Sequence, residues 1–119
     1  MWSNKFGEAW KRRDVDALMS LFAKEGITYY ENSLLEPVKN WELIKDLWDE
    51  VPNNQKDISY WSEILSSTND RTIINWKVSR TLVPSGIRQE IDGIFDVKFD
   101  KHGLCNYFNQ WRTVKTTQS

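Results

Sequence analysis

The chain has 119 residues, a length that fits one domain with its own core, so neither a disulfide nor a metal is required for stability. Its 16 Lys and Arg against 17 Asp and Glu give a net charge of −1, which argues against a nucleic-acid partner. The chain contains seven tryptophans, and nearly every predicted element carries one. Their indole rings imply either a very aromatic core or a cavity lined with rings.

The cysteine content and the hydropathy pattern exclude further classes of protein. A single cysteine, Cys105, rules out an intramolecular disulfide and a cysteine-based metal cluster, and it is typical of a reducing compartment. No stretch approaches the length of a membrane span, and the first residues contain no apolar signal-peptide core. We therefore predict a cytoplasmic protein with no membrane partner, no metal and no cofactor.

The first half of the chain is predicted to be mostly helical. Apolar positions in residues 2–13 recur at helical spacing and predict a first helix. Asp14 is predicted to be the N-cap of a second, short helix whose apolar stripe covers residues 15–22. Gly26 is predicted to end that helix, because glycine accepts the left-handed backbone angles found there.

A strand and a third helix are predicted next. Residues 27–31 are β-branched and aromatic, which favours a strand in which Tyr29 and Glu31 share one face. A loop follows. Asn40 is then predicted to cap a third helix with an apolar stripe, and Pro52 to terminate it.

The remainder of the chain is predicted to be β-structure. Turn-like connections separate four long runs, residues 57–67, 72–83, 87–100 and 104–114, which predicts an antiparallel meander. Gly93 lies in the middle of the third run, where glycine often marks a bulge or a bend. Helices segregated from a mostly antiparallel sheet predict an α+β fold. Such a sheet would wrap around the helices and enclose a conical space.

Three stretches carry a resemblance to a known family. They are Trp10–Ala23; Tyr29–Pro37 with Trp41–Trp48; and Asp92–Asp100 with Gly103–Cys105 and Phe108–Trp111. In this order they resemble the nuclear transport factor 2-like superfamily, specifically its SnoaL-like branch, which contains polyketide cyclases. The superfamily also includes ketosteroid isomerase, limonene epoxide hydrolase and members without catalysis, so the fold alone does not settle the function.

The resemblance implies an architecture. It implies a single SnoaL-like domain over residues 1–119, in which a strongly curved, mainly antiparallel sheet wraps around three helices as a cone with an open-ended pocket. It also implies a homodimer that forms through the outer face of the sheet.

Two carboxylates are candidates for catalysis. By resemblance, Glu31 lies at the mouth of the cone, and burial among rings would raise its pKa as a general acid or base requires. The alternative for Glu31 is a rim position, solvated or paired with an arginine. Asp92 is the second candidate. Alternation in its strand turns it to the outer face, whereas a bulge at Gly93 would turn it inward.

The predicted pocket lining is aromatic, although each ring has plain core packing as its alternative. The lining residues are Trp10, Tyr29, Trp48, Tyr60, Trp61, Trp76, Phe95 and Phe108. Gln110 adds an amide for a ligand carbonyl if it shares the inner face with Phe108. The opposite parity places Tyr107, Asn109 and Trp111 inside, and the sequence does not separate the two.

We predict a small-molecule-binding domain with an aromatic, mainly apolar pocket for an apolar or ring-containing molecule. One alternative is an isomerase, cyclase or hydratase that uses Glu31 as its general acid or base. Another is a non-catalytic protein-interaction module that uses the outer sheet face. Binding is favoured over catalysis because one convincing polar pocket group can be named, whereas acid–base catalysis usually needs two.

Overall fold

The computed structural model describes residues 1–117. Four helices and one short strand precede four long strands in this part of the chain. Their bounds are α1 Trp2–Lys11, α2 Val15–Met19, β1 Thr28–Tyr29, α3 Trp41–Asp49, α4 Val51–Asn54, β2 Gln55–Ser67, β3 Arg71–Leu82, β4 Arg88–Phe99 and β5 Cys105–Thr117. The α+β class and the four long strands are confirmed.

The strands form one mixed sheet in the order β1-β5-β4-β3-β2. β2 to β5 pair antiparallel as the predicted meander, and β1 adds to the edge of β5 in parallel. The curved sheet carries the helices on its inner face. α1 lies so close to β2 that a side chain at Gly7 would collide with the Tyr60 ring.

Both predicted helix caps are confirmed. The Asp14 carboxylate accepts a hydrogen bond of 3.0 Å from the backbone N–H of Ala17 at the start of α2. The Asn40 side chain accepts two, of 2.9 and 3.1 Å, from the first turn of α3. These bonds satisfy N–H groups that the helices themselves leave without a partner.

Two predicted helix ends are wrong. α2 stops at Met19 rather than continuing to Gly26, because the following backbone pairs with Cys105 through Leu21 O and Ala23 N at 2.9 and 2.8 Å. Pro52 does not terminate the helical region either. It lies in the first turn of α4, where a missing N–H costs nothing.

Gly93 makes room for an indole instead of marking a bulge. The β3–β4 and β4–β5 registers run through Gly93 without a shift. A Cβ at this position would lie 2.7 Å from Trp76 Cε2 and 2.6 Å from Trp111 O. The inner face of β4 is therefore flat enough at Gly93 for Trp76 to lie across it.

Aromatic rings fill most of the interior. Phe6 lies at the centre and contacts the rings of Trp2, Trp10, Phe22, Trp48, Tyr60, Phe95 and Phe108. Two further pairs stack nearly parallel, Trp76 on Phe95 at 4.6 Å and Tyr29 on Phe108 at 4.7 Å between ring centroids. Of the two interpretations of the ring-rich composition, an aromatic core describes most of the cone.

Candidate functional site

A small, partly enclosed space lies among the inner rings, and we call it the recess. Its volume is about 90 Å³, well below the roughly 300–1,000 Å³ of pockets that enclose drug-sized ligands. Its floor and walls are the rings of Trp10, Tyr29, Trp48, Phe95 and Phe108, with the aliphatic side chains of Leu47 and Val51. Its polar groups are Glu31, Gln55, Arg80, Gln110 and Arg112. A compact molecule, or the compact end of a larger one, fits this space.

Most of the predicted pocket residues meet at the recess. Those that line it are Trp10, Tyr29, Glu31, Trp48, Phe95, Phe108 and Gln110. Tyr60 and Trp76 lie on the inner face but away from the recess. Tyr60 shares a hydrogen bond of 3.1 Å with Ser3, and Trp76 is fully buried.

The prediction that Trp61 lines the cone wall is wrong. Its side chain is 47% exposed, and the Lys77 ammonium group lies over its ring at 5.3 Å. Successive side chains of a strand point to opposite faces, so an inward Tyr60 places Trp61 outside. Trp61 therefore belongs to the outer face of the sheet.

The last strand presents Phe108 and Gln110 to the interior. Both residues line the recess, whereas Trp111 is 48% exposed on the outer face. The Gln110 amide donates hydrogen bonds to the backbone oxygens of Tyr30 and Glu31, at 3.3 and 3.1 Å. Gln110 thereby fixes the segment that carries Glu31, in addition to lining the recess.

Asp92 lies on the outer face, across the sheet from the recess. It is exposed and accepts a hydrogen bond of 2.8 Å from the Asn75 amide. The regular register at Gly93 leaves the alternation of β4 intact, so nothing turns Asp92 inward. The two candidate carboxylates therefore do not form one site, and Asp92 is not placed to act with Glu31.

A short chain of hydrogen bonds holds Glu31. The Trp48 indole N–H donates to the Tyr29 hydroxyl at 3.0 Å, and that hydroxyl donates to Glu31 Oε2 at 3.3 Å. Tyr29 is 1% exposed and comes from β1, whereas Trp48 comes from α3. The chain thus orients the carboxylate from two elements and leaves its second oxygen, Oε1, free of this chain.

Burial and charge shift the titration of the recess in opposite directions. Burial raises the pKa of Glu31 above its ordinary value, and the Arg112 charge, the Tyr29 hydrogen bond and the Arg80 charge oppose the rise. Burial lowers the pKa of Arg80, and the Arg112 charge lowers it further. Burial also raises the pKa of Tyr29, and the Glu31 charge adds to that rise. The recess therefore contains a carboxylate with a raised proton affinity.

Two arginines that line the recess, Arg80 and Arg112, were not predicted from the sequence. Arg80 follows Trp76 on the inner face of β3 at even spacing, and Arg112 follows Phe108 and Gln110 in the same way on β5. This period-2 pattern would have found both, because a charged residue at an inward position of a strand is unusual. Gln55, which accepts a hydrogen bond of 3.0 Å from the Trp10 indole, carried no such signal.

Neither a metal centre nor a membrane-spanning helix accompanies the recess within residues 1–117. Among residues 1–117, no group of three or more His, Cys, Asp and Glu side chains is placed to hold a metal ion. None of the helices described above has the length and apolar character needed to cross a membrane.

Solved structures confirm the cone architecture. Similar folds include a computationally designed 17-OHP binder, 17% identical, with 98% of this chain and 96% of that chain covered and a TM-score of 0.78. A protein of unknown function from Exiguobacterium sp. 255-15, described as NTF2-like, is 20% identical over 95% and 98%, also at 0.78. Δ5-3-ketosteroid isomerase from Mycobacterium sp. is 16% identical over 98% and 95%, again at 0.78.

Sequence comparison assigns the family. No functionally curated protein matches the chain significantly. The sequence profile of the SnoaL-like domain, in contrast, matches residues 4–106, which is most of the chain. The chain therefore belongs to the SnoaL-like domain family, and it shares the fold of NTF2-like proteins.

Proposed function

We propose that the recess binds a compact small molecule, or the compact end of a ring-containing one, through a polar group that meets Glu31, Arg80 and Arg112. The observation that carries this proposal is the convergence of these three side chains over an aromatic floor. Within residues 1–117 no ion pair joins Glu31 to either arginine. Charged groups that share a cavity without forming a direct ion pair favour a polar ligand between them.

Intrinsic fluorescence and thermal shift test the proposal, because Trp10 and Trp48 line the recess. A panel of compact ring compounds with one polar group is expected to contain members that quench this fluorescence and raise the melting temperature. Leu47→Trp should abolish the response by filling the recess. Leu43→Trp is the matched control, because Leu43 lies one turn earlier on α3, is 56% exposed and does not line the recess. A panel without any response, or equal effects of the two variants, would refute the proposal.

The second candidate function is acid–base catalysis by Glu31. A buried carboxylate with a raised pKa, held by the Tyr29 hydroxyl, suits proton transfer. Arg80 and Arg112 add positive charge where a substrate oxygen would gain negative charge. These arginines supply the second polar group that catalysis requires.

Proton exchange with solvent deuterium tests the catalytic candidate. Compact ketones that bind the recess should exchange the hydrogen beside their carbonyl group, as followed by NMR. Glu31→Gln should abolish that exchange, because an amide cannot accept the proton, and Glu31→Asp should retain part of it. Exchange that survives Glu31→Gln unchanged would rule out Glu31 as the base.

The outer sheet face supports a further proposal, a homodimer of this chain. Trp61 and Trp111 are each about half exposed there, an unusual amount of indole for a free surface. Light scattering after size exclusion should give twice the chain mass, and Trp111→Glu should give a monomer. A monomeric wild-type protein would contradict the dimer. A protein-interaction module with an empty recess, and a cytoplasmic location, stay predictions.

A further inference from the structure

The recess carries more positive than negative charge. Two guanidinium groups, from Arg80 and Arg112, meet one carboxylate, from Glu31. Arg80 donates to the neutral Gln89 amide at 3.0 Å and forms no ion pair with a carboxylate of residues 1–117. The Arg112 guanidinium group makes no side-chain hydrogen bond or ion pair with another residue in the described range 1–117. Two like charges at one small cavity repel each other unless an anion lies between them.

We propose that the ligand group seated in the recess is a carboxylate, which Arg80 and Arg112 hold, and that Glu31 takes up a proton when it binds. This inference rests on the proposed binding function and names the ligand class. A guanidinium group presents two parallel N–H donors that match the two oxygens of a carboxylate.

The shape of the recess favours a carboxylate over a phosphate group. Its volume of about 90 Å³ accommodates a small planar group. Its floor is formed by Phe95 and Phe108, so the skeleton attached to the anion is apolar. A phosphate dianion would add two charges beside Glu31, whereas a carboxylate adds one and can share the proton of a protonated Glu31.

Proton uptake follows from the groups that face Glu31. β1 contributes the Tyr29 hydroxyl, β3 contributes Arg80, β5 contributes Arg112, and α3 contributes the uncharged Trp48. A second anion in this space disfavours the ionised form of Glu31. Arginine stays protonated, and Tyr29 is already neutral. The incoming negative charge is therefore balanced by one proton from the buffer, and that proton is bound by Glu31.

Matched ligands test whether the group bound in the recess is a carboxylate anion. We choose cyclohexanecarboxylate, its amide cyclohexanecarboxamide, and inorganic phosphate as probes for isothermal titration calorimetry. The carboxylate should bind at least about tenfold more tightly than the amide. Its affinity should increase as the pH falls from about 8 to about 6, because uptake of a proton accompanies binding. Titrations in two buffers with different ionisation enthalpies should show that uptake, and Glu31→Gln should abolish it.

Matched variants test whether Arg112 binds the carboxylate. Arg112→Gln should weaken carboxylate binding about tenfold and leave amide binding nearly unchanged. Lys115→Gln removes the same charge from the same strand on its outer face and should leave both affinities unchanged. Both residues are exposed, so circular dichroism should report an intact fold.

The outcomes separate this inference from the function on which it rests. If the amide binds as tightly as the carboxylate and Arg112→Gln has no effect, the anion assignment is wrong but small-molecule binding survives. Preference for phosphate also overturns it. Carboxylate binding without proton uptake overturns the role of Glu31. If neither these probes nor the neutral panel binds, both the inference and the proposed function fail.

Discussion

The Tyr29 hydroxyl connects Trp48 to Glu31, and its removal isolates that connection. Tyr29→Phe keeps the ring, which stacks on Phe108 at 4.7 Å and is 1% exposed, so packing is preserved. The substitution removes the 3.0 Å bond from Trp48 Nε1 and the 3.3 Å bond to Glu31 Oε2. We expect both a loss of stability and a change in the titration of Glu31.

The magnitude follows from the two bonds. A typical intramolecular hydrogen bond contributes about 0.5–1.5 kcal/mol, and a buried donor left without a partner costs about 1–3 kcal/mol. Trp48 is half-buried, and the bond to Glu31 is long, so both terms lie at the lower end of their ranges. The free energy of unfolding should therefore fall by about 1–2 kcal/mol, or about 3–10 °C in Tm. Because the Tyr29 hydrogen bond lowers the pKa of Glu31, its loss should raise that pKa further.

Urea denaturation and NMR titration of the labelled Glu31 carboxyl carbon measure the two effects. Tyr30→Phe is the matched control. Tyr30 is the next residue and also carries a hydroxyl, which makes no hydrogen bond to the described residues 1–117. The deficit of Tyr29→Phe should shrink at low pH, since the lost bond favours the ionised carboxylate. The reasoning is refuted if Tyr29→Phe matches Tyr30→Phe in stability, or if the pKa of Glu31 falls.

Three further substitutions are expected to change stability. Burial raises the pKa of Glu31 in the folded state, so Glu31 contributes stability below its unfolded pKa and loses that contribution as the pH rises through the folded pKa. The urea midpoint of Glu31→Gln should therefore rise relative to that of wild type between pH 4 and pH 8. An equal difference between the two proteins at both pH values would contradict this. Gly7→Ala gains about 1 kcal/mol in helix propensity, but its Cβ would lie within 2.7 Å of Tyr60 Cγ. Overpacking costs about 1–3 kcal/mol, so the Tm of Gly7→Ala should fall below that of wild type. The same substitution should be neutral or stabilising in a Tyr60→Ala background. If Gly7→Ala alone has a higher Tm than wild type, the clash is disproved. Gly93→Ala should lower Tm by a similar mechanism, because its Cβ would lie 2.7 Å from the Trp76 indole, and an unchanged Tm would show that the indole can move.

The sequence predicted those features of the helices that depend on interactions between residues close together in the chain. The caps at Asp14 and Asn40 depend on side chains within three residues of the backbone they satisfy, and both are present. The end of α2 depends on the distant pairing of Leu21 and Ala23 with Cys105. No local pattern contains that pairing, so the helix was predicted to be too long.

The residues that face the recess could be predicted from the sequence in part, because the alternation of side chains along a strand is also a local property. Alternation along β2 excludes Trp61 from the interior once Tyr60 is known to face inward, and the same rule brings Arg80 and Arg112 inside. The sequence could not supply the spacing between sheet and helices. That spacing decides whether rings line a hollow or fill it, and here Phe6 fills it.

The tryptophan count reflects the connections between elements more than it reflects a cavity. Four indole N–H groups each donate a hydrogen bond to a distant part of the chain, namely Trp2 to Leu21 O, Trp10 to Gln55 Oε1, Trp41 to Met19 O and Trp48 to Tyr29 OH. A ring that packs into the core and donates at its tip contributes burial and a fixed direction together. Two of these rings, Trp10 and Trp48, are also walls of the recess. The bonds that fix the helices over the sheet therefore also fix part of the site, so Glu31 and Gln55 are held in place before any ligand arrives.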